Sequence, residues 1–446
     1  MAIHPIEFRY GTPEMKAVWT EEHRFLRIID AEVALAQAEA ACGMIPVDAA
    51  ASIAEHAQSA SLNRAKEIED EIHHDMMAIV RAISEVCGES GRWVHYGATS
   101  NDILDTATGL QLRDALQILD RKLRSLLSAL LDRSMETRNL VCIGRTHGQH
   151  GVPTTYGLRF AIWASEIGRH IERLEQMRPR VCVGQMTGAV GTQAAMGEHG
   201  IVVQEKMMSF LGIGSVEVSN QVIQRDRYAE YFCFLANVAT TLDKIGVEIR
   251  SMQRTEIGEV EEAFGSKQVG SSTMPHKRNP IRSEQICGLA RIVRSAVEPA
   301  FQNNTLWDER DLTNSSPERI LFPEATILCD HIISLMTTVI TGLLLRPDRI
   351  RSNLILLQGI NMAESVMIEL TKRGMPRQEA HEVIRVRSMD ALETRRPLAD
   401  LLSTTPDIIR YLSSTEIARL LDPEQYLGTS VSQVERLESR LRPLAK

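Results

Sequence analysis

The chain has few aromatic residues, which make up only 4% of its 446 residues. β-Strands are usually rich in aromatic and β-branched side chains, so this scarcity disfavours a β-protein. Residues that suit helices are abundant instead, chiefly Ala, Leu, Ile, Glu and Arg. The composition therefore predicts an all-α fold.

Cysteine is also scarce, and its seven copies form no C-x-x-C pair. They are Cys42, Cys87, Cys142, Cys182, Cys233, Cys287 and Cys329. An odd number of scattered cysteines indicates neither a disulfide framework nor a zinc ribbon. We expect buried, reduced thiols.

The chain has no excess of positive charge, since its net charge is −8. That charge is typical of a soluble cytosolic protein and argues against nucleic acid as a partner. Residues 1–10 lack a basic region followed by an apolar run, and no stretch approaches the roughly 20 uncharged apolar residues of a membrane span. We therefore expect a cytoplasmic protein without a membrane partner.

Apolar residues recur every three or four positions along several segments, as in amphipathic helices. The run of leucines over 112–130 predicts a long helix that opens near Asn101 or Asp102, and the helix over 155–177 should stop ahead of Pro179. The other predicted helices cover 25–42, 228–252, 283–297 and 316–345. Because these apolar stripes are too continuous for one partner face each, we expect a homo-oligomer.

The length exceeds that of a usual single domain. Periods are shorter before Asp102, and a second break follows at Arg346–Asp348. We predict three helical domains, 1–101, 102–347 and 348–446, of which the central one is a bundle of long helices.

One polar segment, Gly270–Pro280, interrupts the helical pattern. Its glycine and prolines favour a loop ahead of a helix, where free backbone N–H groups bind anions. Lys277 and Arg278 add positive charge for a carboxylate or phosphate, and two serines offer a nucleophile or base. The plain alternative is a polar surface turn.

A second polar segment, Thr146–Gly151, contains two histidines ahead of a predicted helix. Histidine titrates near neutrality, so His147 is suited to proton transfer. A hydrogen-bonded structural pair with His150 is the alternative. A metal site is disfavoured, because no Cys or acidic residue has matching local spacing.

Two further polar segments suit anions. The segment His95–Asp102 is typical of an extended helix cap, and it has further polar groups that could hold an anion. The segment Trp307–Arg319 has two arginines and several hydroxyls that suit a phosphate. The alternative for this second segment is a solvated loop. The run His73–Asp75 lies within an otherwise helical, acidic segment. By itself this run indicates a position on the surface or in the core rather than a functional site. The same holds for Arg9–Tyr10.

The Gly270–Pro280 segment closely resembles the signature of the fumarase and aspartase superfamily. With the other segments in this order, the whole chain resembles the adenylosuccinate lyase family. The features that carry this resemblance are Arg9–Tyr10, Trp93–Gly97, Gln221, Gln224–Asp226 and Met274–Asn279. The resemblance implies a three-domain helical subunit, a homotetramer with active sites shared between chains, and no metal or organic cofactor.

The implied reaction is β-elimination of fumarate from adenylosuccinate to give AMP, and from succinylaminoimidazole carboxamide ribotide (SAICAR) to give AICAR, in purine biosynthesis. By the same resemblance Ser271 is the general base, His147 the general acid, Glu284 the carboxylate that positions it, and Lys277 a cation for the developing charge. The residues expected at the substrate are Arg9, Tyr10, His74, Asp75, His95, Thr99, Ser100, Thr146, Gln221, Met274, Asn279, Arg310, Ser315 and Arg319.

Three alternatives stay open at this point. A 3-carboxymuconate cycloisomerase or an argininosuccinate lyase has a similar signature but no nucleotide phosphate to hold, so Arg9–Tyr10 and Arg310–Arg319 argue against both. A non-catalytic crystallin-like protein would not need the four catalytic residues together.

Overall fold

The computed structural model describes residues 3–265, 273–274 and 276–446. Helices take up 69% of the chain and strands 5%. This composition of secondary structure confirms the predicted all-α fold.

Short and medium helices occupy the chain before residue 100. They are α1 (Pro5–Phe8), α2 (Pro13–Val18), α3 (Glu21–Ala41), α4 (Val47–His56), α5 (Leu62–Ile72) and α6 (Asp75–Val86). The prediction over 25–42 is confirmed by α3, which starts where the Thr20 hydroxyl accepts a hydrogen bond from the His23 N–H at 3.1 Å.

Longer helices follow between residues 100 and 342. They are α7 (Ser100–Glu136), α8 (Tyr156–Val181), α9 (Gly200–Leu211), α10 (Asp226–Met252), α11 (Ile281–Ser295), α12 (Val297–Gln302) and α13 (Ser315–Gly342). The five longest of them confirm the predicted long helices. The predicted stop before Pro179 is wrong, because this proline lies in the last turn of α8, and the chain still closes a backbone hydrogen bond from Cys182 N to Arg178 O at 2.9 Å.

The last hundred residues again form short helices. They are α14 (Pro347–Leu354), α15 (Ala363–Lys372), α16 (Arg377–Thr394), α17 (Leu398–Leu402), α18 (Pro406–Ile409), α19 (Ser414–Leu420) and α20 (Ser430–Leu441). Proline begins or precedes several of them, as at Pro376 and Pro397.

Strands occur as three pairs in the described residues. They are β1 (Val141–Thr146) with β2 (Gln149–Thr155), β3 (Val183–Gly184) with β4 (Gly214–Ser215), and β5 (Val260–Glu261) with β6 (Leu344–Leu345). The first pair is an antiparallel hairpin in which Thr146 lies opposite Gln149. Its two turn residues, His147 and Gly148, have φ of 55° and 75°, as a tight hairpin turn requires.

The chain divides into two compact units, each built from three stretches. Unit one comprises residues 1–123, 169–242 and 288–334, and unit two comprises 124–168, 243–287 and 335–446. A buried apolar core in unit one includes Ile28, Ile53, Met76 and Ile83, and one in unit two includes Val366, Leu370, Leu398 and Ile417. The division into three domains stays a prediction.

Among the helices that the structure describes, α13 is long and apolar enough to cross a membrane by length and composition. However, 61% of its most apolar window is buried inside the protein. Buried core helices share this composition.

Two acidic side chains lie on the buried side of α3. Glu32 and Glu39 are 1% and 0% exposed, and neither carboxyl oxygen of Glu39 has a hydrogen-bond partner in the described part of the chain. Burial, and then the charge of Glu32, raise the pKa of Glu39 to about 8. The folded protein therefore keeps a proton on Glu39 at neutral pH.

We expect Glu39→Gln to flatten the dependence of stability on pH. In the unfolded chain the carboxyl of Glu39 ionises near its ordinary pKa of 4.5, whereas in the folded protein it does so near 8. The folded state thus binds the extra proton between these values, so the free energy of unfolding falls as pH rises through this window, by at most about 1.4 kcal/mol per unit.

Urea unfolding at about pH 5 and pH 8 measures the effect. From pH 5 to pH 8 the free energy of unfolding should fall more in the parent protein than in Glu39→Gln. An equal loss in both proteins would contradict the buried neutral carboxyl.

Candidate active site

A cavity of about 630 Å³ in unit one gathers many of the residues predicted to bind the nucleotide. The predicted residues that line it are His74, Asp75, Ser100, Arg310, Ser315 and Arg319. They come from the α5–α6 junction, the start of α7 and the region around the start of α13. Two guanidinium groups and a serine hydroxyl suit a phosphate monoester.

The junction between α5 and α6 places His74 and Asp75. The flanking segments are helical as expected, and a break separates them, because His73 adopts a left-handed backbone with φ 54° and ends α5. His74 then caps α6, since its Nδ1 accepts a hydrogen bond from the Met77 N–H at 3.2 Å. His74 thus lies between the two helices and Asp75 at the first position of α6. Asp75 Oδ2 accepts a hydrogen bond from Arg319 at 2.9 Å.

The start of α13 places Ser315 and Arg319. Ser315 begins the helix, and Arg319 follows one turn later. A helix N-terminus favours anions, because its first N–H groups have no acceptor within the helix. Arg310, in the preceding loop, donates to Gln221 Oε1 at 2.9 Å, which connects a predicted succinyl-binding residue to the predicted phosphate site.

A buried arginine lies beside this helix start. Arg225 has a 2% exposed side chain and donates to both oxygens of Asp105, at 2.7 and 2.9 Å, and of Glu318, at 3.0 and 3.2 Å. It thereby joins α7 to the residue that precedes Arg319. No role for Arg225 was predictable from the sequence, because only the fold brings these carboxylates to it.

The turn before α7 is fixed by Asp102. Its carboxylate is fully buried and accepts hydrogen bonds from the N–H groups of Thr99, at 2.9 Å, and Thr187, at 2.8 Å. The helix begins at Ser100, near the predicted opening at Asn101 or Asp102, but neither of these residues is the cap that precedes it. Asp102 instead stabilises the turn from inside the first turn of the helix, as in half of a capping box.

The remaining predicted residues of unit one are not among those that line this cavity. Arg9 is exposed, and its guanidinium carbon lies 6.0 Å from the ring centre of Tyr10. The Tyr10 ring lies 5.6 Å from that of His331. His95 contacts Glu32 and is described below.

Unit two has a larger cavity, of about 820 Å³, beside the signature segment. The predicted residues that line it are Met274, Lys277, Asn279 and Glu284. Arg250, Arg254 and Arg278 also line it, so with Lys277 its cationic groups outnumber the carboxylates of Glu256 and Glu284 and its walls are basic. Such a cavity suits the carboxylates of a succinyl group. Ser271, the predicted base, lies outside the described residues.

Two side chains hold the end of the signature segment in place. Gln253 donates from its amide to Arg278 O at 3.1 Å and accepts from the Glu262 N–H at 3.0 Å. The carboxylate of Glu262 in turn accepts from the N–H groups of Arg282, at 3.1 Å, and Ser283, at 2.8 Å. These contacts cap α11 and fix its first turn, which carries Glu284. No sequence motif pointed to either residue.

Thr146 and His147 lie at the exposed tip of the β1–β2 hairpin. Buried Glu259 supports the hairpin, because its carboxylate accepts hydrogen bonds from Arg145 at 2.6 Å, Tyr156 at 2.6 Å and Asn353 at 2.9 Å. Burial alone would raise the pKa of Glu259, but these donors hold it below its ordinary value.

The structure of one chain does not pair the predicted acid with its carboxylate. Among the described residues, no hydrogen bond or ion pair joins His147 to Glu284. Their partnership therefore stays a prediction.

Two families match consecutive parts of the chain. The family described as Lyase matches residues 7–294, and the family described as Adenylosuccinate lyase C-terminus matches residues 359–437. The chain is 52% identical over 437 residues to an adenylosuccinate lyase from Archaeoglobus fulgidus, covering 98% of both proteins. It is 51% identical over 449 residues to one from Pyrococcus horikoshii, covering 99% of this chain and 100% of the relative.

Solved structures of related enzymes share the fold. A fumarate lyase from Mesorhizobium sp. BNC1 has a TM-score of 0.89 at 32% identity and covers 96% of this chain and 98% of its own. A 3-carboxy-cis,cis-muconate lactonizing enzyme from Pseudomonas putida has a TM-score of 0.88 at 32% identity, over 99% of both chains. The signature, the helical fold and the full-length identity agree, and the chain belongs to the adenylosuccinate lyase family of the fumarase and aspartase superfamily.

Proposed function

We propose that this protein is a carbon–nitrogen lyase that cleaves adenylosuccinate to AMP and fumarate, and SAICAR to AICAR and fumarate. The observation that carries the proposal is the unit-one cavity in which Arg310, Ser315 and Arg319 meet. Its groups match a nucleotide phosphate, which both substrates carry. The full-length relatives named adenylosuccinate lyase support the same reaction.

In the proposed chemistry, Ser271 removes a proton from the succinyl carbon next to a carboxylate. The electron pair of that C–H bond forms the new double bond of fumarate, and the C–N bond breaks. Its electrons return to the departing amino nitrogen, which takes a proton from His147. Separate base and acid residues are needed, because the nitrogen leaves poorly unless it is protonated.

The basic cavity of unit two suits the negatively charged intermediate of this reaction. Proton removal next to a carboxylate builds up a doubly charged, enolate-like species. Lys277 and Asn279 would stabilise that charge with an ammonium group and an amide donor. Serine is a weak base in water, so the signature segment must exclude water and surround its oxygen with donors.

We also propose a homotetramer with active sites shared between chains, in the cytoplasm. Several long helices expose large apolar side chains, including Ile162 at 51%, Val247 at 51% and Ile292 at 44%. Such faces are typical of subunit interfaces. Within the described residues of one chain no hydrogen bond or ion pair joins His147 to Glu284, which fits a site completed by a neighbour. Light scattering would give a mass of four times 49.9 kDa if this is correct.

The likeness to a muconate lactonizing enzyme makes a cycloisomerase the second candidate. Spectrophotometric assays of the purified protein on adenylosuccinate, SAICAR, argininosuccinate and carboxymuconolactone separate the candidates. We expect turnover of the first two. Turnover of carboxymuconolactone alone would replace the proposal, and inertness toward all four would indicate a non-catalytic protein.

Arg319→Gln is expected to raise KM for adenylosuccinate by about tenfold to 100-fold and to change kcat much less. Its guanidinium binds the phosphate, which is distant from the bond that breaks, so it stabilises substrate and transition state alike. Steady-state kinetics measure both constants.

Arg64→Gln is the matched control for this variant. Arg64 is a half-exposed arginine in unit one whose side chain pairs with Glu85 at 2.9 Å. It should leave KM unchanged. An unaltered KM in Arg319→Gln would count against the phosphate site.

A further inference from the structure

The buried carboxylate of Glu32 contacts His95, the first residue of the His95–Asp102 segment. His95 Nδ1 lies 2.6 Å from Glu32 Oε1, and the backbone N–H of His95 donates to Glu32 Oε2 at 3.0 Å. The Glu32 side chain is 0% exposed and that of His95 is 12% exposed. Both oxygens of one carboxylate thus contact a single residue.

The backbone of His95 is held in an unfavourable conformation. Its φ is 64°, in the left-handed region that residues other than glycine rarely adopt. Such a conformation persists only where surrounding contacts impose it, and it occurs preferentially at functional sites. Glu32 supplies such contacts, because it binds the backbone and the ring together.

The environment of His95 favours a positive charge. Burial alone would lower the pKa of His95, but Glu32 on α3 and Asp102 on α7 raise it above its ordinary value. Glu39, further along α3, is the other acidic group near Glu32, and the charge of Glu32 helps to raise the pKa of Glu39, so that Glu39 stays neutral beside it. With Nδ1–H given to Glu32, a protonated ring has one donor left, Nε2–H.

That second nitrogen has no hydrogen-bond partner in the part of the chain that the structure describes. The turn from His95 leads directly to the predicted site, because His95 O accepts a hydrogen bond from Ala98 N at 3.3 Å and Thr99 and Ser100 follow. Ser100 lines the unit-one cavity. His95 therefore lies on the chain segment that leads to the phosphate-binding groups, and its Nε2–H remains available to donate a hydrogen bond.

We propose that Glu32 is a positioning residue, which orients the His95 ring and keeps its Nε2–H as a donor for the anionic substrate. The proposal rests on the proposed function, in which His95 binds the nucleotide. Glu32 acts only through His95. A neutral ring with Nδ1–H bound to Glu32 would turn a lone pair, rather than a donor, toward the anion.

Glu32→Gln tests the proposal, and Glu39→Gln is its matched control. Both variants replace a buried carboxyl on the same helix by an amide of the same shape. At about pH 8 we expect Glu32→Gln to raise KM for adenylosuccinate about tenfold, with kcat lowered less than about threefold. Glu39→Gln should leave both constants within about twofold.

A pH series separates this role from a merely structural one. Lowering the pH favours protonation of His95 in Glu32→Gln, so the difference in KM from the parent should shrink as the pH falls. A defect of packing would persist at every pH. A KM ratio that is independent of pH, or equal effects of Glu32→Gln and Glu39→Gln, would overturn the proposal.

NMR titration of the histidine rings gives a result that needs no substrate. The His95 signal, identified by its loss in His95→Gln, should titrate at lower pH in Glu32→Gln than in the parent. An unchanged midpoint of the His95 titration would overturn the proposal even if the KM values change as expected. Conversely, a parent protein that is inactive on adenylosuccinate would defeat the proposed function, while the titration would still decide the pairing.

A double variant keeps the test valid if Glu32→Gln folds poorly. Because Glu32 acts through His95, Glu32→Asp should raise KM less than His95→Gln does, and Glu32→Asp/His95→Gln should bind no more weakly than His95→Gln alone. Additive losses would contradict the proposal.

Discussion

His147→Ala is expected to lower kcat on adenylosuccinate by at least about 10²-fold while leaving the fold and the oligomer intact. Loss of a general acid typically costs about 10²–10⁴-fold, because the amino nitrogen must then leave without its proton. The exposed position of His147 at the tip of the hairpin supports this, since truncation there removes little packing. Circular dichroism and light scattering would confirm an intact protein.

His381→Ala is the control for this variant. His381 is an exposed histidine on α16, and its replacement should leave kcat unchanged. Ser271→Ala should lower kcat by a factor similar to that expected for His147→Ala. Since acid and base serve successive steps of one catalytic cycle, the double variant should lose far less than the product of the two factors. Near-normal turnover of either single variant would refute its assigned role.

Arg225→Met is expected to destabilise the protein by about 3–5 kcal/mol, the usual cost of breaking a buried ion pair from one side. The guanidinium is the common partner of Asp105 and Glu318, and its removal leaves two carboxylates facing each other out of water. Burial already raises the pKa of Glu318, against the effect of Arg225. Chemical denaturation of parent and variant measures the difference.

Two companion variants make this test specific. Arg180→Met removes an arginine whose 53% exposed side chain pairs with Glu230, and should cost less than about 1 kcal/mol. Adding Asp105→Asn and Glu318→Gln to Arg225→Met should recover much of the loss, because no unpaired charge remains. A triple variant as unstable as Arg225→Met would show that lost packing, and not charge, sets the cost.

The long helices were predictable because their apolar residues repeat at helical spacing over many turns. The run of leucines that indicated α7 and the stripe that indicated α10 both bury continuous faces. Local exceptions were not predictable in the same way. Pro179 reads as a helix end, yet α8 tolerates it because only the final turn loses a hydrogen bond.

The hairpin that carries His147 was also missed. Its strands hold two glycines and a proline, and a histidine occupies a turn position with positive φ. The sequence therefore reads as a loop. The two strands pair in the folded protein. Glu259, which accepts hydrogen bonds from Arg145, Tyr156 and Asn353, supports the hairpin through contacts that are distant in sequence.

The candidate site was predictable where charged and turn-forming residues concentrate locally. Arg310, Ser315 and Arg319 stand within ten positions of one another, so their common cavity follows from one loop and one helix start. Residues that act through distant partners gave a weaker signal. Glu32 is 63 positions from His95, and an acidic residue on the apolar face of α3 was the only sign of it.

Product analysis by NMR after incubation of the purified protein with adenylosuccinate tests the central claim most directly. We expect AMP and fumarate in equal amounts, because the bond that breaks joins the amino nitrogen to the succinyl carbon. Formation of aspartate with a deaminated nucleotide, from cleavage on the other side of the nitrogen, or no conversion at all, would contradict it.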